Sequence, residues 1–258
     1  MPPIPIREFG RTGLAVPALG YGCTAIGDRA VSENEAARLL NGAVDLGIRL
    51  LDTARSYGLS EERIGRHLAH RRSEVVLSTK VGYGVAGYED WTGPCVSAGI
   101  DRALRLFRTE VIDIVHLHSC PLETLQRGEV IGALQRARKA GKLRVAAYSG
   151  DNEPLRWVVD SGLFGSVQTS YSICDQAARA NGSLKRAATN GLGVIAKRPL
   201  SNAPWRAELP DPDDGAAAVY RKRWAALDVD LAGIPPGEAA LRFAVHERGV
   251  HCVIVGSG

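Results

Sequence analysis

The sequence predicts an α/β protein of the (β/α)8 barrel, or TIM barrel, class. Two observations support this: eight short, almost continuously apolar runs, and an amphipathic helical pattern in the intervals between them. Apolar runs without polar alternation are typical of parallel strands covered on both faces. Strands that alternate with helices are parallel and joined by right-handed crossovers. Eight such units within 258 residues favour one closed barrel domain, 1–258, over an open sheet.

The predicted strands are 17–21, 48–51, 75–79, 111–117, 143–148, 167–170, 194–197 and 252–255. Helices are predicted over 61–69, 96–107, 153–161, 182–190, 215–226 and 237–247. Two more are indicated by apolar stripes, one from Ala36 to Val44 and one made by Val130, Ile131, Leu134 and Ala137, which Gly141 closes. Ser32 and Glu35 have the spacing of a capping box, and Gly47 is placed as a left-handed helix stop. Ser60 is placed to cap the second helix. The glycine-rich segment 10–13 predicts an N-terminal β-hairpin, and 201–214 reads as a loop.

A doubly wound dinucleotide-binding sheet is the alternative architecture. Such a fold usually carries G-x-G-x-x-G after its first strand. Here the first strand runs into Gly20-Tyr21-Gly22, and neither a glycine three residues later nor an immediate helical pattern follows. This difference favours the barrel.

Composition excludes several classes of function. The net charge of +4 comes from 32 basic and 28 acidic residues that are scattered along the chain, which indicates a surface of mixed sign and no nucleic-acid partner. No apolar run approaches the roughly 20 residues that a membrane span needs. The five cysteines are far apart and lack metal-ligand spacing, so we expect no metal, reduced thiols and a cytoplasmic location. The oligomeric state is not indicated.

Polar side chains stand at the ends of three consecutive predicted strands. Asp52 follows the second strand, Lys80 follows the third, and His118 closes the fourth. Tyr57 lies in the loop five residues after Asp52. Each residue taken alone has a structural explanation, as a solvated strand end or a packed side chain. Because the carboxyl ends of barrel strands meet at one rim, the four together predict a site.

This combination suits the reduction of a carbonyl group. A free phenol, with a pKa of about 10, is a weak proton donor at neutral pH. A neighbouring ammonium stabilises the phenolate form of a phenol, and a carboxylate keeps that ammonium charged and in place. A histidine donor can orient the substrate oxygen. The residues therefore predict Tyr57 as general acid, assisted by Lys80, Asp52 and His118.

The stretch from Gly47 to Gly58, continued by Ser60, Glu61 and Gly65, closely resembles the aldo-keto reductase signature G-x-R-x-x-D-T-A-x-x-Y-G-x-S-E-x-x-x-G. Segments 78–80 and 113–118 resemble the family's lysine and histidine strands. The resemblance implies a hairpin that closes the barrel floor and the catalytic roles given above. It also implies reversible reduction of an aldehyde or ketone to an alcohol by a nicotinamide cofactor, with NADPH favoured over NADH.

The resemblance also assigns cofactor contacts. The positions it gives are Cys23, Thr24, Asp52, Ser149, Gln168, Lys197, Arg198, Leu200, Gly256 and Ser257. Two positions depart from the family pattern: Gly150 replaces an asparagine, and Lys197 replaces the tyrosine expected to stack on the nicotinamide. Lys197 or Arg198 could instead bind the cofactor diphosphate, and a solvated pair is the alternative. Trp91 is expected in the wall of the substrate pocket, with simple packing as the alternative.

The family continues past its eighth strand with a loop and helix that hold the adenosine, whereas this sequence ends at Gly258. The predicted barrel therefore lacks the final C-terminal helix. Without that helix, the apolar outer face of the eighth strand is expected to be exposed, which is unfavourable. We therefore expect that the sequence omits a tail or that the protein is a natural truncation.

Two other functions stay open at this point. One is a cofactor-binding module that senses redox state and has little or no activity, which the changes at Gly150 and Lys197 leave possible. The other is a barrel isomerase or aldolase in which Lys80 forms a Schiff base. The second leaves Tyr57 and the cofactor positions unexplained. The sequence does not identify the carbonyl substrate.

Overall fold

The computed structural model describes residues 3–206, 215–227 and 230–256. The strands within these ranges are β1 Ile6–Glu8, β2 Ala15–Pro17, β3 Leu19–Gly22, β4 Leu50–Asp52, β5 Val76–Val81, β6 Ile112–His118, β7 Leu143–Ser149, β8 Ser166–Ser170, β9 Gly193–Lys197 and β10 Cys252–Gly256. The helices are α1 Glu33–Asp45, α2 Ser60–Leu68, α3 Gly93–Phe107, α4 Leu122–Arg127, α5 Glu129–Lys139, α6 Asn152–Ser161, α7 Ala177–Ala180, α8 Ser183–Thr189, α9 Gly215–Ala226 and α10 Pro236–Val245.

Eight parallel strands close a barrel in the order β10-β3-β4-β5-β6-β7-β8-β9, and β1 pairs antiparallel with β2 outside it. The predicted (β/α)8 barrel with an N-terminal hairpin is therefore confirmed. The short helices α4 and α7 were not among the predicted elements. Of the predicted loop 201–214, the described part, 201–206, contains turns, and 207–214 lie outside the described residues. No helix in the described part of the chain has the length and apolar character of a membrane span.

The hairpin closes the floor of the barrel. Phe9 is fully buried in a cluster with inward-facing side chains of the strands, including Ile114 and Ile195. A Cβ on Gly193 would lie 2.6 Å from the Phe9 ring, so the absence of a side chain at Gly193 makes room for that ring. Residues of the barrel interior and residues between barrel and helices form two separate apolar clusters.

The outer face of β10 is more covered than the sequence led us to expect. Val253 is fully buried in the layer between barrel and helices, together with Ala244 of α10, while Val255 is partly exposed. The expected exposure of this face is therefore wrong at Val253. The physical reason is that α10, which precedes β10 in the chain, packs against it.

The helix-capping serines predicted for α1 and α2 have different outcomes. The Ser32 hydroxyl accepts a hydrogen bond from the Glu35 amide at 3.2 Å, as predicted. Ser60 is not a cap: α2 begins at Ser60 itself, and no side chain caps it. The Ser60 hydroxyl instead donates to the Cys23 carbonyl at 2.8 Å and accepts from the Thr53 hydroxyl at 2.7 Å. Ser60 thus ties together the two loops that follow β3 and β4.

Gly65 permits close packing of α2 on α3, because a Cβ at this position would lie 1.8 Å from the Leu106 carbonyl oxygen. We expect Gly65→Ala to lower the free energy of unfolding by about 1–3 kcal/mol, the usual cost of overpacking. Gly42→Ala on α1 is the matched control, since nothing lies within 4 Å of its added Cβ. Gly42→Ala should raise the free energy of unfolding by about 0.5–1 kcal/mol. Urea denaturation measures both, and equal effects would contradict the packing argument.

Candidate active site

A buried ion pair lies at the carboxyl rim of the barrel. Lys80 Nζ of β5 donates to Asp52 Oδ2 at 2.6 Å and to the Thr53 carbonyl at 2.8 Å. The other carboxylate oxygen, Oδ1, accepts from the Ser78 hydroxyl and from Gln168 Nε2, both at 2.8 Å. Both charged side chains are almost completely buried. The register explains their meeting, because Asp52 pairs with Ser78, two residues before Lys80.

The pair is charged. Burial by itself raises the pKa of Asp52, but the Lys80 ammonium, together with His116 and the Ser78 hydrogen bond, holds that pKa below its usual value. Burial likewise lowers the pKa of Lys80, but the Asp52 carboxylate, together with Tyr57, holds that pKa above its usual value. The site therefore holds a fixed ammonium whose charge is kept by its carboxylate partner.

Tyr57 and His118 lie beside this ammonium. Lys80 Nζ is 4.9 Å from the centroid of the Tyr57 ring. The Tyr57 and His118 rings meet edge-on, with centroids 6.1 Å apart and planes at 88°. The structure thus brings together the four residues that the sequence singled out.

A second phenol, Tyr83, also contacts His118 and was missed by the sequence analysis. Its hydroxyl lies 2.9 Å from His118 Nδ1, and the two rings stack with centroids 5.5 Å apart. The Trp91 ring packs 5.5 Å from the Tyr83 ring, and the Trp91 amide donates to the Gly82 carbonyl. The only available signal was an aromatic residue three positions after Lys80. Trp91 thus joins the aromatic group next to the site.

Two histidines occupy β6 at different depths. Burial, followed by the Lys80 ammonium, lowers the pKa of the rim residue His118 to about 3. His116, two residues earlier, is fully buried. Its Nε2 lies 3.1 Å from the Ser78 hydroxyl, and its Nδ1 is buried without a partner among the described residues. Burial lowers the pKa of His116 to about 4, so both rings are neutral at pH 7.

His116 makes stability depend on pH. Because its folded pKa of about 4 lies below the unfolded value of about 6.5, its contribution is complete above pH 6.5 and is lost as pH falls towards 4. Wild type should lose about 2 kcal/mol through this residue between pH 7 and pH 5. His116→Gln should remove that part of the loss. Urea unfolding at both pH values tests this, and an unchanged pH dependence in the variant would contradict it.

Ser149, the last residue of β7, lies beside Gln168 in the middle of β8. The Ser149 hydroxyl donates to Gln168 Oε1 at 2.8 Å, and Gln168 in turn donates to Asp52. Next to them, Gly150 stands where the family pattern has asparagine. A Cβ on Gly150 would lie 2.2 Å from the Tyr148 hydroxyl, so the buried Tyr148 side chain occupies the space that a side chain at 150 would need.

Lys197, at the end of β9, is paired and not solvated. Its Nζ lies 2.9 Å from Asp151 Oδ2, and burial lowers the pKa of Lys197 although Asp151 opposes it. Asp151 also accepts from the Thr169 hydroxyl and the Ser170 amide. The position expected to hold a stacking tyrosine therefore carries a partly buried Lys–Asp pair.

Arg198 follows at the same rim with a left-handed backbone, φ 57°. It lines a cavity of about 220 Å³ together with Asp151 and Arg223. The remaining residues assigned to cofactor binding differ in their exposure to solvent. Cys23 is buried, with its amide bonded to the Asp52 carbonyl, whereas Thr24 is exposed, Leu200 is half-buried, and Gly256 ends β10 opposite Gly22. Ser257 lies outside the described residues.

The described residues contain no group of three or more His, Cys, Asp or Glu side chains able to hold a metal ion. The five cysteines are buried and free.

A charged Lys–Asp pair beside a tyrosine and a histidine, at the carboxyl rim of a parallel barrel, places the protein among the barrel enzymes. The family model for the Aldo/keto reductase family matches residues 18–258, and the chain belongs to this family.

Individual relatives agree with this assignment. L-galactose dehydrogenase of Arabidopsis thaliana is 31% identical over 271 residues, covering 99% of this chain and 85% of the relative. L-glyceraldehyde 3-phosphate reductase of Escherichia coli K12 is 32% identical over 221 residues, covering 76% of this chain and 61% of the relative. A solved aldo-keto reductase from Bacillus halodurans, in its holo form, superposes with a TM-score of 0.84 at 26% identity, covering 98% of this chain and 86% of that one.

The protein is thus an oxidoreductase of carbonyl and CH–OH groups. Aldo-keto reductases act with nicotinamide cofactors on small molecules.

Proposed function

We propose that the protein reversibly reduces an aldehyde or ketone to an alcohol, with Tyr57 as general acid and NADPH favoured over NADH. The observation that carries this proposal is the position of Lys80 Nζ, 2.6 Å from Asp52 Oδ2 and 4.9 Å from the centroid of the Tyr57 ring. An ammonium held beside a phenol stabilises the negative charge that remains after the phenol gives up its proton.

Each residue has one task. Asp52 holds the Lys80 ammonium charged and in place, and Lys80 stabilises the phenolate of Tyr57. Tyr57 delivers the proton to the substrate oxygen, and the neutral His118 donates a hydrogen bond that orients this oxygen. The nicotinamide, when bound, supplies the hydride that reduces the carbonyl carbon.

The rim residues fit such a cofactor. Ser149 and Gln168 present a hydroxyl and an amide next to each other, and this combination suits the donor and acceptor of a carboxamide. Arg198 and Arg223 line the cavity beyond β9, where their guanidinium groups suit phosphate oxygens. Ser149 and Gln168 would hold the nicotinamide carboxamide, and the two arginines would hold the diphosphate.

The ion pair disfavours a Schiff-base mechanism. A lysine that attacks a carbonyl must be neutral, but the Asp52 carboxylate raises the pKa of Lys80. An isomerase or aldolase that uses Lys80 as a nucleophile therefore does not fit this site.

The names of the two relatives both describe sugar-type compounds, a hexose and a triose phosphate. We propose polyhydroxy aldehydes and ketones as the first substrates to test. Tyr83 and Trp91 would form an aromatic wall of the substrate pocket. The free cysteines are consistent with a cytoplasmic location.

Fluorescence titration with NADPH and NADH, followed by a screen of aldoses, ketoses and aromatic aldehydes, tests the proposal. We expect saturable binding, tighter for NADPH, and oxidation of the bound cofactor with at least one carbonyl compound. Tight binding without turnover of any carbonyl would favour the redox-sensing module instead. Absence of binding to either cofactor would contradict both functions.

A further inference from the structure

His118 is neutral, so one of its ring nitrogens donates a hydrogen bond and the other accepts one. The choice between the two tautomers matters for the function proposed above, because only a protonated nitrogen can donate towards a substrate oxygen. Nδ1 has a partner in Tyr83, whereas no partner of Nε2 is found within the described residues. The contact at Nδ1 therefore decides what Nε2 can do.

We propose that Tyr83 is a positioning residue that sets the tautomer of His118: its hydroxyl donates to Nδ1, and Nε2 therefore carries the proton. This inference rests on the proposed function for its purpose, since the protonated Nε2 is the donor that orients the substrate oxygen. The tautomer itself is a property of the protein alone.

Acid–base chemistry favours this direction of the hydrogen bond. The Tyr83 hydroxyl lies 2.9 Å from His118 Nδ1 and 3.3 Å from the Ser56 hydroxyl. A phenol is a stronger acid than an alcohol, and an imidazole nitrogen is a stronger base than a hydroxyl oxygen. The Tyr83 hydroxyl therefore donates its proton in the shorter of the two contacts, to His118 Nδ1. The exposed Ser56 hydroxyl can then donate to the Tyr83 oxygen, so that each hydroxyl hydrogen has an acceptor.

Packing fixes the rings in the orientation that this bond needs. Tyr83 stacks on His118 at 29° between planes, and Trp91 lies against the Tyr83 ring at 53°. The loop that carries both aromatic residues is held by a bond from the Gly84 amide to Asp90. Tyr57 contacts His118 edge-on from another direction. His118 is therefore restrained by rings on two sides, and its Nδ1 faces the Tyr83 hydroxyl.

Nitrogen NMR on protein labelled with ¹⁵N-histidine tests the inference, with NADPH absent. The His118 signals are identified by their loss in His118→Gln. In wild type we expect an unprotonated Nδ1 and a protonated Nε2. In Tyr83→Phe, which keeps the ring and loses the hydroxyl, we expect both tautomers to be populated. Ser56→Ala is the matched control and should leave the Nε2-protonated form dominant.

A protonated Nδ1 in wild type, or an unchanged tautomer in Tyr83→Phe, would overturn the inference. Turnover gives a second readout: kcat/KM of Tyr83→Phe should fall about three- to tenfold, the value of one neutral hydrogen bond, with the cofactor Kd unchanged. The two proposals fail separately. If no carbonyl is reduced, the proposed function fails while the NMR result still stands. Tyr57→Phe should strongly reduce turnover but leave the His118 tautomer as in wild type.

Discussion

Tyr57→Phe is expected to lower kcat for carbonyl reduction by about 10²- to 10⁴-fold, the usual contribution of a positioned general acid. The substitution removes only the hydroxyl, so the ring keeps its edge-on contact with His118 and its position beside Lys80. The Kd for NADPH and the free energy of unfolding should therefore change little. Steady-state kinetics, fluorescence titration and urea unfolding measure the three quantities.

Tyr88→Phe is the matched control for this prediction. Tyr88 lies in the same rim loop as Tyr83 but is 48% exposed, and its hydroxyl makes no hydrogen bond among the described residues. Its loss should leave kcat unchanged. Carbonyl reduction by Tyr57→Phe at the wild-type rate would show that another group delivers the proton.

Lys80→Met is expected to damage both stability and turnover. Without the ammonium, the buried Asp52 carboxylate keeps only the hydrogen bonds from Ser78 and Gln168. Leaving one charge of a buried pair without its partner typically costs about 3–5 kcal/mol of unfolding free energy. Turnover should fall by a factor similar to that of Tyr57→Phe, because the phenolate loses the charge that stabilises it.

Lys142→Met gives the comparison for an exposed pair. Lys142 Nζ also lies 2.6 Å from a carboxylate, that of Asp101, but the two side chains are 42% and 43% exposed. Removal of the Lys142 ammonium should lower the free energy of unfolding by about 1 kcal/mol or less. The double variant Lys80→Met/Asp52→Asn removes both buried charges and should recover part of the stability. Equal stability losses in Lys80→Met and Lys142→Met would contradict the buried-pair description.

The barrel could be predicted from the sequence because a strand that is buried on both faces is an almost continuous run of apolar residues. All eight barrel strands were predicted, with ends that differ from the observed ones by two residues at most. The rim residues followed from the fold, since the carboxyl ends of parallel strands converge. The sequence could thus predict that Asp52, Lys80 and His118 lie in one site.

Features that depend on loop conformation or on pairs distant in sequence were not accessible. Tyr83 contacts His118 through a loop with no periodic pattern. The pair between Lys197 and Asp151 joins β9 to the start of α6 across 46 positions. At Ser60 the spacing to acidic residues resembled a helix cap, but the Cys23 carbonyl competes for the hydroxyl. In each case, the partner of the side chain is determined by tertiary contacts, which the local sequence does not reveal.

The central claim is that Lys80 acts through Tyr57, and a double-mutant cycle in kcat/KM tests it most directly. The cycle compares wild type, Tyr57→Phe, Lys80→Met and the double variant, each at a temperature where circular dichroism shows the fold intact. Residues that act as one unit give non-additive losses. We predict that the double variant is no slower than Tyr57→Phe alone. Losses that multiply in the double variant would show that Lys80 and Tyr57 act independently and would contradict the account.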